Sequence, residues 1–310
     1  MKILVTGGAG FIGSHVVDTY VAAGHEVIVV DDLSTGRREN VNPKARFHRL
    51  DITDPALGEL IRDARPAVLN LHAAQMDVRR SVADPLFDAR VNILGTINLL
   101  EAARKANVRR VLFVSSGGAA YGEQEAFPAP ESHPTNPVSP YGVSKRAGEL
   151  YAFFYQAEYQ LPFMALRYAN VYGPRQDMLA EEGRVVAIFS QLMLAGRRPT
   201  INGDGEQQRD FLHVADAVAA NLLALERGSG QAYNLGVGRP TSVNQLFDLL
   251  KGLTGFGGEA AYGPTKPGEV YRIYLDSSRA RRELGWEPQV GLEEGLRDTL
   301  EYFRRAKAEG

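Results

Sequence analysis

The feature that most restricts the fold lies at the very start of the chain. A β-branched run, Lys2-Ile3-Leu4-Val5-Thr6, leads directly into Gly7-Gly8-Ala9-Gly10-Phe11-Ile12-Gly13, and a helical pattern follows over Gly13–Ala23. This is a strand, a G-x-x-G-x-x-G turn and a helix. Glycines let the backbone approach a pyrophosphate and let the helix pack close to the strand. The helix then offers its unpaired N–H groups and the positive end of its dipole to the phosphates. The next strand pattern, Glu26–Val30, ends in Asp31-Asp32, eighteen residues beyond Gly13. An acid there accepts hydrogen bonds from adenosine ribose hydroxyls and repels a 2′-phosphate, so the unit points to NAD rather than NADP. Strand, turn, helix and acid all fall in register, which a turn that binds nothing does not require.

The same alternation continues. Strand patterns at Ala67–Leu71, Val111–Ser115 and Phe163–Leu166 are separated by helical patterns at Pro85–Ala106 and Tyr141–Tyr159. Alternating strands and helices predict an α/β fold, a doubly wound parallel Rossmann sheet with helices on both faces. Gly24 stands where a helix-terminating glycine belongs. Asp84-Pro85 opens a long helix with proline in its first turn. The second half is less regular, with helices expected near Val185–Ala195 and Val214–Glu226, a strand at Ala232–Leu235, and two or three amphipathic helices after residue 236, ending with Leu292–Lys307. The expected division is a dinucleotide-binding domain over 1–167 plus about 211–235. A smaller mixed α/β lobe for the substrate takes about 168–210 and 236–310, the chain crossing between the two more than once.

Bulk properties exclude other classes. The 310 residues carry a net charge of -2 with both signs interspersed, so no basic field exists to hold a nucleic acid. With no cysteine, disulfides and thiolate metal sites are ruled out. No apolar run approaches the ~18 residues of a membrane span, and the N-terminus lacks a signal-peptide layout. The expectation is a cytoplasmic enzyme with no membrane, nucleic-acid or metal partner.

Tyr141-Gly142-Val143-Ser144-Lys145 places a tyrosine and a lysine at i and i+4, on one face of a helix. A phenol titrates near ~10 and is a poor base at neutral pH. A neighbouring ammonium favours the phenolate, and a cationic nicotinamide pushes the same way. The expectation is therefore an acid/base phenol, tuned downward by Lys145, beside a redox cofactor.

The glycine turn and the Tyr141/Lys145 pair together resemble the extended short-chain dehydrogenase/reductase family. Further segments are similar to its nucleotide-sugar epimerase branch: Val30-Asp31-Asp32-Leu33-Ser34-Thr35-Gly36, Asp51-Ile52, His72-Ala73-Ala74-Gln75, Ser115-Ser116 ahead of Tyr121-Gly122, Arg167-Tyr168-Ala169-Asn170-Val171-Tyr172-Gly173-Pro174, Arg209-Asp210-Phe211 and Leu284-Gly285-Trp286. The resemblance implies an NAD-dependent isomerase that inverts C4 of a UDP-hexose through a transient 4-keto sugar, as in galactose metabolism. By resemblance, Gly7, Gly10, Phe11, Ile12 and Gly13 cradle the cofactor pyrophosphate. Asp31 holds the adenosine ribose with Asp32 and Ser34 nearby, Asp51 and Ile52 flank the adenine, and Ala73, Ala74 and Gln75 line the cofactor path. Tyr141 and Lys145 also reach the nicotinamide ribose. Asn170 and Arg209 match positions that bind the UDP diphosphate, and a guanidinium fork suits phosphate oxygens.

The chain departs from the family pattern at three places. Gly117 stands where many relatives carry a serine or threonine whose hydroxyl contacts the sugar 4-oxygen, so that hydroxyl comes from Ser116, from a water, or from nowhere. Near the C-terminus Lys266 replaces a diphosphate-binding arginine, a role open to Lys266 or Arg272. Ile273 falls where relatives gate room for a 2-N-acetyl group. The alternatives are a UDP-N-acetylhexosamine epimerase, a UDP-glucuronate epimerase or decarboxylase reading the carboxylate with Arg79 and Arg80, and a 4,6-dehydratase. The last needs an acid–base pair where this chain has Gly118 and Ala119. A silent NAD-sensing scaffold, a different class altogether, would have no use for an intact Tyr141/Lys145 pair. By resemblance the protein is a homodimer paired through the helices near 85–106 and 141–159, with Leu99, Leu100, Leu150, Tyr151 and Phe154 as apolar contacts.

Overall fold

The computed structural model describes residues 1–177, 185–265 and 270–309. Seven parallel strands form one sheet in the order Ala232–Leu235, Phe163–Tyr168, Arg110–Ser116, Val68–Leu71, Lys2–Thr6, Glu26–Asp31, Arg46–Arg49. The strand order reverses beside the first strand. In open α/β sheets the crevice at that switch point, outside the carboxyl ends of the strands, is where ligands bind.

Strand side chains alternate between the two faces, and both faces are covered. On one side Ile3, Val5, Val27 and Val29 pack with Val16, Val17 and Tyr20 of helix Phe11–Ala22 and with Ala217 and Ala220 of helix Val214–Ala224. On the other, Leu4, Ile28, Val30 and Leu69 meet Leu57, Ile61, Leu99, Leu100, Ala152 and Tyr155. Leu99 and Leu100 are thus consumed by the subunit's own core, which corrects their assignment to a dimer surface. Leu150, Tyr151 and Phe154 are exposed as expected, and so is Phe153. A third apolar cluster, separate from the sheet, joins Phe189 and Met193 of helix Val185–Leu194, Leu246 and Leu250 of helix Val243–Thr254, and Leu296 and Leu300 of helix Leu292–Glu309.

Local signals act where expected. Helix Phe11–Ala22 ends at Gly24, whose φ of +79° lets the His25 N–H return to the Tyr20 carbonyl at 3.0 Å. Asp84 caps the next long helix by accepting from Phe87 N–H at 3.0 Å. That helix is unbroken to Lys105 but changes its winding on the way. It runs Pro85–Ala89, widens into a π-turn at Arg90–Leu94, and resumes at Gly95–Lys105. The wide turn carries Asn92 into the interior. Gly95 follows because a Cβ there would sit 2.7 Å from Ile52 Cδ1. Among the described residues no helix is long and apolar enough to cross a membrane.

Candidate active site

The glycine turn is built by contact. Gly7 has φ +70°, and a Cβ on it would lie 2.6 Å from the Ala73 backbone nitrogen. A Cβ on Gly13 would lie 2.2 Å from the Gly7 carbonyl oxygen. Only glycine allows this approach of helix to strand. Helix Phe11–Ala22 starts at Gly10 with no side-chain cap and no acid in its first turn. Its first N–H groups face a cavity of about 1110 Å³ lined by Gly7, Gly10, Phe11, Ile12 and Gly13. An uncapped helix start in a cleft is satisfied by an anion. At the end of the second strand Asp31 lines the same cavity. Its two carboxylate oxygens accept from Ala9 N–H at 3.0 Å and Leu33 N–H at 2.9 Å, and burial pushes its pKa up. These groups suit the pyrophosphate and ribose of NAD.

Asp32, Ser34, Asp51, Ile52, Ala73, Ala74 and Gln75 all line the cavity. Asp32 accepts from Ser34 N–H at 2.9 Å and from Ser34 Oγ at 2.7 Å, which holds the turn after Asp31. Asp51 plays the same local part toward Thr53, accepting from its N–H at 2.7 Å. His72, one residue beyond the fourth strand, has neither ring nitrogen hydrogen-bonded, and burial lowers its pKa to about 3, so the ring is neutral.

Tyr141 and Lys145 stand in the first turns of helix Pro140–Tyr159, which Ser139 caps by accepting from Gly142 N–H at 3.1 Å. Gly148 lets this helix approach the sheet, since a Cβ there would lie 2.4 Å from the Phe113 ring. Lys145 is buried and its Nζ donates to the Val114 carbonyl at 3.0 Å. Burial lowers its pKa to about 8, with Asp88 and Glu149 opposing. Tyr141 keeps an edge toward the cavity yet lies deep. Burial pushes the phenol up, the Asp88 charge adds to that, and a hydrogen bond with the Ser116 side chain works against both. Without a bound cation burial dominates at the Tyr141 phenol, and the Lys145 ammonium is turned onto the Val114 carbonyl.

Ser116 caps the short helix Gly117–Tyr121, accepting from Ala119 N–H at 3.3 Å, and faces Tyr141. A Cβ on Gly117 would meet Leu275 Cδ1 at 2.5 Å, so a side chain at 117 would require that buried leucine to shift. Among the three sources open from the sequence, Ser116 is the hydroxyl that the fold presents to the phenol.

Opposite the sheet, Asn170 and Arg209 line the same cavity. Asn170 starts strand Asn170–Tyr172, which pairs with Phe211–His213. Arg209 Nη1 donates to the Gln208 carbonyl at 2.9 Å, where strand Gln208–Arg209 pairs with Thr241–Ser242. Arg272 is exposed and does not line the cavity, whereas its neighbour Ile273 does. Lys266 lies outside the described residues. Arg79, Arg80, Gly118 and Ala119 line the wall as well. Arg37, Arg175 and Asn202 are among the lining residues that escaped the sequence reading. Arg37 sits one residue past the quoted Asp31–Gly36 segment and pairs with Asp177 at 2.8 Å. Arg175, just after Gly173-Pro174, pairs with Asp18 at 2.8 Å. Asn202 is carried in by strand Thr200–Asn202 with no signature of its own.

The sequence pattern of the NAD-dependent epimerase/dehydratase family matches residues 3–236. The chain belongs to the NAD-dependent epimerase/dehydratase family. Among members of this epimerase/dehydratase family, it is 47% identical over 310 residues to a UDP-glucose 4-epimerase of Mycolicibacterium smegmatis, covering 98% of this chain and 99% of the relative. A solved UDP-glucose 4-epimerase from Thermotoga maritima, with UDP-glucose, superposes with a TM-score of 0.97 at 50% identity, over 99% of this chain and 100% of that one. The UDP-glucose 4-epimerase of Thermus thermophilus, in complex with NAD, gives a TM-score of 0.95 at 42% identity, with 99% and 100% covered.

Proposed function

We propose that the protein interconverts UDP-glucose and UDP-galactose, using NAD to invert C4 through a transient 4-keto sugar. The observation that carries this reading is convergence on one cavity. The glycine turn, Asp31, Tyr141, Lys145, Ser116, Asn170 and Arg209 all line it. Full-length similarity to UDP-glucose 4-epimerases supports it.

In this reading residues 1–167 with about 211–235 hold NAD, and about 168–210 with 236–310 hold the nucleotide sugar; the separate third apolar cluster supports that division. Gly7, Gly10, Phe11, Ile12 and Gly13 would hold the pyrophosphate, Asp31 the adenosine ribose with Asp32 and Ser34 beside it, and Asp51 and Ile52 the adenine edge. NAD held there would supply reversible hydride transfer at C4. Tyr141 takes the proton of the 4-hydroxyl and later returns it, with Ser116 holding that oxygen. Lys145 orients the nicotinamide ribose and provides positive charge. Asn170 and Arg209 grip the diphosphate, which places binding energy on the part of the substrate that does not react and leaves the hexose free to turn.

Gly118 and Ala119 on the wall carry no group able to move protons, which favours epimerisation over 4,6-dehydration. Arg79 and Arg80 on the wall favour one second reading, a UDP-hexuronate as an additional substrate. A homodimer and a cytoplasmic setting belong to the same proposal, the dimer supported by exposed Leu150, Tyr151, Phe153 and Phe154. Incubation with UDP-galactose, UDP-glucose and UDP-glucuronate, each followed by separation of the C4 epimers, tests the reading. Turnover of the two neutral hexoses is expected, and turnover of neither would refute it.

A further inference from the structure

Behind the Tyr141/Lys145 pair lies a buried carboxylate that the reaction scheme does not use. Asp88 is 1% exposed, in the short helix Pro85–Ala89. Its Oδ1 accepts from Gln75 Nε2 at 2.9 Å and from Asn92 Nδ2 at 3.0 Å, so both donors are neutral amides. A carboxylate is seldom buried without a purpose, because burial of charge is costly unless another charge or a dense hydrogen-bond set answers it. The amides are themselves fixed. The π-turn at Arg90–Leu94 drives Asn92 inward, where its side chain exchanges bonds with the Gln75 backbone at 2.9 and 2.8 Å. Asn92 Nδ2 also reaches Ser144 Oγ at 3.1 Å, and Ser144 Oγ donates to the Tyr141 carbonyl at 2.9 Å. A continuous chain of bonds thus runs from Asp88 to the turn that carries both catalytic side chains. A π-turn at such a point is a recurrent companion of functional sites.

We propose that Asp88 is a positioning residue, the buried counter-charge against which the Tyr141/Lys145 pair is set, held in place by Gln75 and the π-turn's Asn92. This deepens the epimerase reading and rests on it for the pair's role in turnover. The other charged groups around the pair are already engaged. Glu149, one turn further along the same helix, is gripped by Arg167 and by Arg146 at 2.9 Å. His72 is neutral. Arg80 on the neighbouring helix Val78–Ala83 stacks over the Phe87 ring at 4.0 Å, and Arg79 beside it lines the cavity. Glu101 and Arg104 pair with each other at 3.0 Å near the far end of the helix, at Tyr155. Asp88 is the charge that acts on both members of the pair.

Burial lowers the Lys145 pKa to about 8, and Asp88 and Glu149 both work against that fall, so deleting the Asp88 charge lowers it further. The same removal makes the Tyr141 phenolate easier to form. Both pKa values therefore move down together when the charge is deleted.

The test is D88N, nearly isosteric and still able to accept from Gln75 and Asn92, with D88S as a second variant should D88N not fold. Lys145 is titrated directly by competitive acetylation across pH 5–10 with peptide mass spectrometry, without turnover. The half-labelling pH of Lys145 is expected to fall by about 1 unit or more. In steady-state turnover of UDP-galactose both limbs of the pH profile are expected to shift to lower pH. A purely structural Asp88 would lower the melting temperature and the plateau rate while leaving the Lys145 midpoint and both limbs in place, and that result would overturn the proposal. Because labelling needs no substrate, an enzyme inactive on UDP-hexoses would refute the epimerase reading and leave the Asp88 result standing.

Discussion

Serine at position 117 would restore the residue type common among relatives, and the structure makes it a damaging change. A Cβ at 117 would lie 2.5 Å from Leu275 Cδ1 and 3.0 Å from Cδ2. Leu275 is fully buried, so its side chain can give way only into packed surroundings. Overpacking of this kind costs about 1–3 kcal/mol. For a chain of this length that corresponds to roughly 2–5 °C in melting temperature if unfolding is two-state. Leu275→Ala alone removes a buried leucine and costs about 2–5 kcal/mol. The two changes occupy and vacate the same space, so Gly117→Ser with Leu275→Ala should cost less than the sum by about 1–3 kcal/mol. Denaturant or thermal unfolding of the wild type, both single variants and the double variant closes the cycle. A Gly117→Ser protein as stable as wild type, or strictly additive costs, would refute the claim that Leu275 is why residue 117 carries no side chain.

Three further outcomes follow from particular groups. Protein purified without added nucleotide should release NAD on denaturation, because the proposed cycle regenerates the cofactor at every turnover; release of NADP instead would contradict the reading of Asp31. Glu149, paired with buried Arg167 through two oxygens at 2.8 and 2.6 Å, has its pKa held below the usual value because hydrogen bonds and charge outweigh burial. A depressed carboxylate stabilises the fold above its unfolded pKa and loses that contribution as pH falls, so thermal unfolding between pH 7 and 3 should show a steeper loss in wild type than in Glu149→Gln. That variant should also be about 3–5 kcal/mol less stable at neutral pH. Leu150→Glu combined with Phe154→Glu, both exposed in the single chain, should convert the proposed dimer to monomer by light scattering, and a wild type that is already monomeric at micromolar concentration would sink the dimer proposal.

Much of this architecture was legible in the sequence, for reasons that differ by element. The strands at Lys2–Thr6 and Glu26–Asp31 are continuous apolar runs bounded by glycine and acid, which leaves few alternatives. Arg46–Arg49 was not foreseen as a strand. It is an edge strand reading Arg-Phe-His-Arg, and an edge needs no apolar run. The π-turn at Arg90–Leu94 has no local signature; it follows from Asn92 finding partners at Gln75 and Ser144, residues far away in sequence. Helical spacing put Tyr141 and Lys145 together but could not show that Lys145 bonds to Val114 or that Asn92 and Ser144 link Asp88 to the turn that carries the pair. Leu99 and Leu100 look the same as Leu150 in sequence, and only the sheet behind them decides which pair is buried. Arg272 adjoins the lining residue Ile273 yet is exposed outside the cavity, and sequence adjacency alone does not separate the two.

The central claim is that the Tyr141 phenol moves the proton of the sugar 4-hydroxyl. Tyr141→Phe keeps the ring and leaves Asn170 and Arg209 untouched, so UDP binding by calorimetry should match wild type. General acid–base catalysis is typically worth about 100- to 10,000-fold, so conversion of UDP-galactose to UDP-glucose at saturating substrate should fall by at least about 100-fold. Retention of near wild-type turnover by Tyr141→Phe would contradict the account.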